Sequence, residues 1–296
     1  MGSERATWRA DSLGPANEVE VPGGRLRYHE TGNGPPIVFV HGVLVNANLW
    51  RKVVPQLARD FRCVTLDMPF GSHIEAMPNA DLTPPGAADI VADAIEAIGL
   101  EDVTLVGNDT GGAVCQLVAT RRPERLGRLI LTSCDAFENF PPKFFKYVFK
   151  PAQVPALVPL LFGGLRLRAP RRLPIAFGWV SKRPIDRDAE DTYVLPVLTR
   201  GDIRKDLARI AKGVDSKYTL EAGRRLKEFD RPTLLAWSRE DRLFPPGDAE
   251  RLAAALPDAR IEWIDDSYTF SAEDQPGRLS ELIAGFVREP RAERVA

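Results

Sequence analysis

The sequence predicts an α/β fold with a mostly parallel central sheet. Short apolar runs of strand length alternate with helix-patterned segments up to residue 131, the alternation stops over residues 137–222, and it resumes at 233–237 and 260–264. Continuous apolar runs suit strands covered on both faces, and strands separated by helices imply parallel pairing. One sheet interrupted by a helical insertion explains the gap better than two independent domains. The expected boundaries are a core of 1–136 and 223–296 with a helical cap over 137–222.

Each element follows from its local pattern. Residues 1–17 carry no periodicity and are expected to form a loose leader. Runs 18–21 and 25–30 read as strands joined by a Pro-Gly-Gly hairpin turn. Residues 37–40 and 62–66 are buried strands, with helical spacing over 49–59 between them. A Pro- and Gly-rich loop, 69–86, leads to a helix over 87–98. Strand 103–106, helix 111–120 and strand 129–131 follow. Residues 137–222 are Pro-rich and helical in spacing, without a convincing strand. Within them, 141–180 hold seven Lys or Arg and no acid, either a solvated face or a surface favouring anionic or amphipathic ligands.

Composition narrows the function. The chain has 296 residues, 44% hydrophobic and 27% charged, with net charge -1. Near-neutral charge gives no reason to expect nucleic acid as a partner. Cys63, Cys115 and Cys134 each lie in or beside an apolar run, so buried reduced thiols and a cytoplasmic location are expected. No apolar stretch approaches the roughly 18 residues of a membrane span, so no stable membrane anchoring is expected. The three histidines and three cysteines lack ligand spacing, and no phosphate or dinucleotide loop is present. No metal and no cofactor are therefore expected. Whether the chain forms a homodimer is left open.

The chemistry lies at residues 103–112, Val-Thr-Leu-Val-Gly-Asn-Asp-Thr-Gly-Gly. A strand runs into a turn whose central residue, Asp109, is flanked by the small residues a sharp bend requires. This resembles the nucleophile elbow of the α/β-hydrolase superfamily, with Asp109 where many members carry Ser. His41-Gly42 resembles the oxyanion-loop motif. Residues 66–72 resemble the loop after the next strand, and 237–245 the late strand and loop that supply the acid. The resemblance is closest to the Asp-nucleophile branch, which holds haloalkane and fluoroacetate dehalogenases and epoxide hydrolases. It implies Asp109 as nucleophile, Asp241 as acid with Asp135 the alternative, and an oxyanion hole from the backbone N–H groups of Val43 and Thr110. A helix-end position is expected to favour ionised Asp109.

Three departures shape the expected activity. Thr269 stands in the histidine position of the family, and Thr cannot accept a proton near pH 7. His73, in the loop after strand 62–66, is a candidate substitute, although an exposed loop histidine is the plainer reading. His41 is expected to make a structural hydrogen bond or to border the substrate. Second, Thr110, Val43 and Leu44 replace the donors that bind halide in similar dehalogenases. Third, lid tyrosines of similar epoxide hydrolases donate a proton, and Tyr147, Tyr193 and Tyr218 are available, with Tyr193 preferred.

A carboxylate attacks an sp3 carbon and forms an alkyl-enzyme ester. The reading is a hydrolase-type enzyme acting on an epoxide-like or related small hydrophobic substrate. Two alternatives stand beside it: a lyase, isomerase or cyclase using Asp109 as base, and a ligand-binding pseudo-hydrolase that lost its triad.

Overall fold

The computed structural model describes residues 2–290. Its sheet has eight strands: β1 (Ala16–Val21), β2 (Gly24–Thr31), β3 (Pro36–Val40), β4 (Arg62–Leu66), β5 (Val103–Asp109), β6 (Leu126–Cys134), β7 (Thr233–Ser238) and β8 (Ala259–Ile264). Their order is β1-β2-β4-β3-β5-β6-β7-β8. β2 runs antiparallel to both neighbours, and every other pairing is parallel. Burial explains the difference in sequence texture. All of β6 and β7 is buried, as an interior parallel strand requires, whereas β1 at the edge alternates exposed and half-buried residues.

Helices cover the faces. Pro84–Ala97 starts where Thr83 accepts a hydrogen bond from the Gly86 N–H, with proline in its first turn. Pro276–Arg288 buries Leu279, Ile283, Phe286 and Val287, a single stripe at helical spacing. Between β6 and β7 the described residues form helices and no strand, among them Lys146–Ala152, Val158–Phe162, Arg187–Thr199 and Gly201–Gly213.

Several expectations are corrected. The expected loose leader is docked. Gly2–Thr7 is helical, Leu13 is fully buried, and buried Arg9 pairs with buried Asp67 at 2.7 Å. A long-range ion pair leaves no periodic signal in a short segment. The helical spacing over 49–59 resolves into two short turns, Ala47–Trp50 and Val54–Leu57. β5 and β6 extend beyond their apolar runs because their polar ends satisfy each other: Asn108 Nδ2 donates to Thr132 Oγ1 at 2.9 Å.

The helical segment is tied to the core by polar contacts. Asn46 and Asn48 each donate to Thr192 Oγ1 at 3.1 Å, and Ser72 Oγ donates to the Tyr193 carbonyl at 2.6 Å. Buried Arg51 bridges Asp186 at 2.6 Å and Glu273.

Candidate active site

Asp109 ends β5 and caps the helix Thr110–Arg121, with φ 54° and ψ −131°. A positive φ at a non-glycine residue costs on the order of 1–3 kcal/mol and persists only where surroundings enforce it. Here they do. A Cβ on Gly112 would lie 2.2 Å from the Cys134 Cβ, and one on Gly42 would lie 2.5 Å from Asp109 Oδ2. The carboxyl is thus pressed against the backbone that follows β3.

Its other oxygen, Oδ1, accepts the Thr110 N–H at 2.8 Å. Burial pushes the Asp109 carboxyl up to about 7, against that hydrogen bond and with a further rise from the Asp241 charge. The expected preference for the ionised form is therefore overridden: one helix-end N–H does not replace the lost solvent.

Asp241 follows β7. Its Oδ1 accepts the N–H groups of Leu243 and Phe244, both at 2.8 Å, and the Thr269 hydroxyl at 3.1 Å. Burial nevertheless pushes it up to about 6. Thr269 is fully buried, and its carbonyl accepts Asn108 Nδ2 at 2.8 Å. The loop after β8 is therefore stitched to the strand that carries Asp109, and the Thr269 hydroxyl lies against the Asp241 carboxyl.

Asp135 follows β6 and borders the same cavity as Asp109. Its Oδ2 accepts the Thr110 hydroxyl at 3.1 Å, and that hydroxyl lies 3.5 Å from Asp109 Oδ1. Burial, then the Asp109 charge, raise the Asp135 carboxyl well above its ordinary range. Oδ1 of Asp135 is buried without a hydrogen-bond partner among the described residues.

The other candidates separate. Val43, Leu44, Thr110 and Tyr193 line the cavity. Tyr193 is fully buried, its hydroxyl has no partner among the described residues, and burial raises its pKa. Tyr147 is 83% exposed and lies outside the cavity wall, so its helix turns it to solvent while Val148 and Phe149 face inward. His41 is also outside the wall. Its Nε2 accepts the Met68 N–H at 2.9 Å, so Nδ1 carries the proton and donates to the Gly42 carbonyl at 2.8 Å. Burial lowers it to about 4, which keeps it a neutral brace between two loops.

His73 is buried rather than exposed. Its Nδ1 accepts the Gly71 N–H at 3.2 Å, and its Nε2 donates to Asp206 Oδ2 at 3.1 Å. It joins the core to the helix Gly201–Gly213 and does not line the cavity. The Thr110 N–H, an expected oxyanion donor, is engaged by Asp109 itself.

The cavity volume is about 100 Å³, room for a small organic molecule. Its wall is otherwise apolar, with Phe145, Phe149, Phe162 and Phe270 among the lining side chains. Three supporting residues escaped sequence reasoning: Asn108; Gln116, whose Nε2 donates to the Asp135 carbonyl at 2.8 Å; and Asp206. Only the first had a local signal, its place beside Asp109.

Residues 35–276 match a family described as alpha/beta hydrolase fold. A 2-hydroxymuconate semialdehyde hydrolase of Pseudomonas sp. strain CF600 is 25% identical, over 94% of this chain and 96% of that protein. Haloalkane dehalogenase 2 of Mycobacterium bovis is 26% identical, over 88% and 90%. An alpha/beta hydrolase fold protein from Burkholderia ambifaria superposes with a TM-score of 0.78 at 22% identity, covering 92% of this chain and 97% of that one, and shows the shared fold.

Proposed function

Because the chain belongs to the alpha/beta hydrolase fold family, we propose that it is a hydrolase-type enzyme with Asp109 as nucleophile and an epoxide-like or related small apolar substrate. One observation carries this reading: Asp109 and Tyr193 line the same apolar cavity, and the Tyr193 hydroxyl has no hydrogen-bond partner among the described residues. An oxygen of ionised Asp109 attacks a ring carbon, the carbon–oxygen bond of the epoxide breaks, and the leaving oxygen takes the Tyr193 proton. The product is an alkyl ester on Asp109. Residues 137–222 act as the cap over the cavity, and the Val43 backbone N–H donates to the oxyanion that forms when water attacks the ester carbonyl. Clearing the ester needs a base for water, and Thr269 beside Asp241 is not one. Accumulation of the ester is the consequence.

The Thr110 bridge between the two carboxyls favours a second reading, in which Asp109 is a general base and Asp135 its acid partner in a lyase, isomerase or cyclase. Intact-protein mass spectrometry after incubation with a panel of terminal epoxides separates the two. A mass increase of one substrate, absent in Asp109→Asn and slower to form in Tyr193→Phe, is the expected result. Deuterium entering recovered substrate without a mass increase transfers support to the base. Neither signal, together with tight ligand retention, leaves a binding protein. Buried free thiols are the basis for proposing a cytoplasmic location; no helix among the described residues is long and apolar enough to cross a membrane.

A further inference from the structure

The outer surface of the helical segment 141–180 departs from the rest of the molecule in two independent ways. The first is apolar exposure. Tyr147 is 83% exposed, Leu160 82%, Leu167 69% and Leu173 50%. Among the described residues, every exposed large hydrophobic side chain except Trp8 falls within 144–175. The helical turns account for the arrangement. In Lys146–Ala152, Val148 and Ala152 are buried beneath Tyr147; in Val158–Phe162, Val158 and Phe162 are buried while Leu160 faces out. The segment already has its core-facing side chains, so the exposed apolar ones are surplus to the core.

The second is charge. The segment holds seven Lys or Arg and no acid, within a chain of net charge -1, so the remainder carries -8. Arg171 is buried and paired with Glu190 and Asp191, but Lys143, Lys146, Lys150, Arg166 and Arg168 are exposed. They interleave with the exposed apolar side chains along the chain. Ile175 is 46% exposed and also lines the cavity, so this face borders the cavity mouth.

We infer that this face docks reversibly on an anionic lipid surface. Apolar side chains interleaved with Lys and Arg match the boundary between acyl chains and acidic headgroups, where both contribute to binding. A second copy of the chain is the poorer occupant, because pairing these faces would juxtapose two unneutralised positive surfaces. The inference does not depend on the role of Asp109.

The full chain is sedimented with vesicles of phosphatidylglycerol and phosphatidylcholine, and with vesicles of phosphatidylcholine alone. Binding to the mixed vesicles, weakened by salt and much weaker on the neutral ones, is expected. Lys146→Gln and Lys150→Gln should each weaken partition by about fivefold. The double variant Leu160→Asp/Leu167→Asp should abolish it while leaving the melting temperature unchanged, since both side chains are exposed. Absent vesicle binding, equal binding to both vesicles, or binding untouched by these variants would overturn the inference. So would a concentration-dependent dimer dissociated by Leu160→Asp/Leu167→Asp in a chain that ignores vesicles, which would assign the face to self-association.

Discussion

Asp109 is where the conflict between burial and charge is sharpest. Its native carboxyl titrates at about 7 against an ordinary value of 3.8. Between those values the folded chain holds a proton that the unfolded chain has released, so stability falls as pH rises through that window and levels above it. Asp241, raised to about 6, adds a slope of the same sign. Asp109→Asn removes one contribution. Its melting temperature should exceed that of the native chain by more at pH 8 than at pH 5; an equal difference at both would remove the case for a raised Asp109. Thr269→His places an imidazole beside Asp241, and general-base assistance typically contributes about 10²–10⁴-fold. If ester accumulates on Asp109, decay of the adduct followed by mass spectrometry should accelerate within that range, and an unchanged lifetime would argue that the missing base is not the obstacle.

At the scale of elements, the site depends on close approach between a strand and a helix. The contact of Gly112 with Cys134 sets where the helix Thr110–Arg121 begins. Gly112→Ala should destabilise by about 1–3 kcal/mol, read as a lower urea midpoint; wild-type stability would show that the elbow can shift to accept a methyl group. The latch between the loop after β4 and the helix Gly201–Gly213 is the second such contact. Asp206 accepts from the Met77 N–H at 2.8 Å and from His73 at 3.1 Å. Asp206→Ala strips both buried donors and should lower stability by about 1–3 kcal/mol per orphaned group. A calorimetric melting temperature within error of the parent would mean that water or a rearranged loop replaces the carboxylate.

On the scale of the molecule, three distant stretches meet at Arg51, which joins the turn after β3 to Asp186 and to Glu273 beyond β8. Arg51 and Glu273 are almost wholly buried, while Asp186 is not. Removing one partner of a buried pair leaves the other charge uncompensated, at a cost of about 3–5 kcal/mol. Glu273→Ala should therefore reduce unfolding free energy by about that amount in urea titration; a loss near that of an exposed salt bridge would show that Lys52, 3.0 Å from Glu273, and solvent already balance the site.

The succession of strands and helices along the chain, the helical interruption and the bend at Asp109 were legible in the sequence, because each is a local pattern of apolar spacing and small residues. Tertiary structure decided the rest. It turned Tyr147 outward from the seven-residue helix Lys146–Ala152 and Tyr193 inward from Arg187–Thr199, because which face of a cap helix meets the core is decided by packing. It buried His73 against Asp206, 133 residues away, a pairing that no local window contains. It also converted Asp109 from an expected carboxylate into a group balanced near neutrality. Helix-end hydrogen bonding can be read from position, but the depth of burial that outweighs it exists only once the sheet and the helical segment close around the carboxyl.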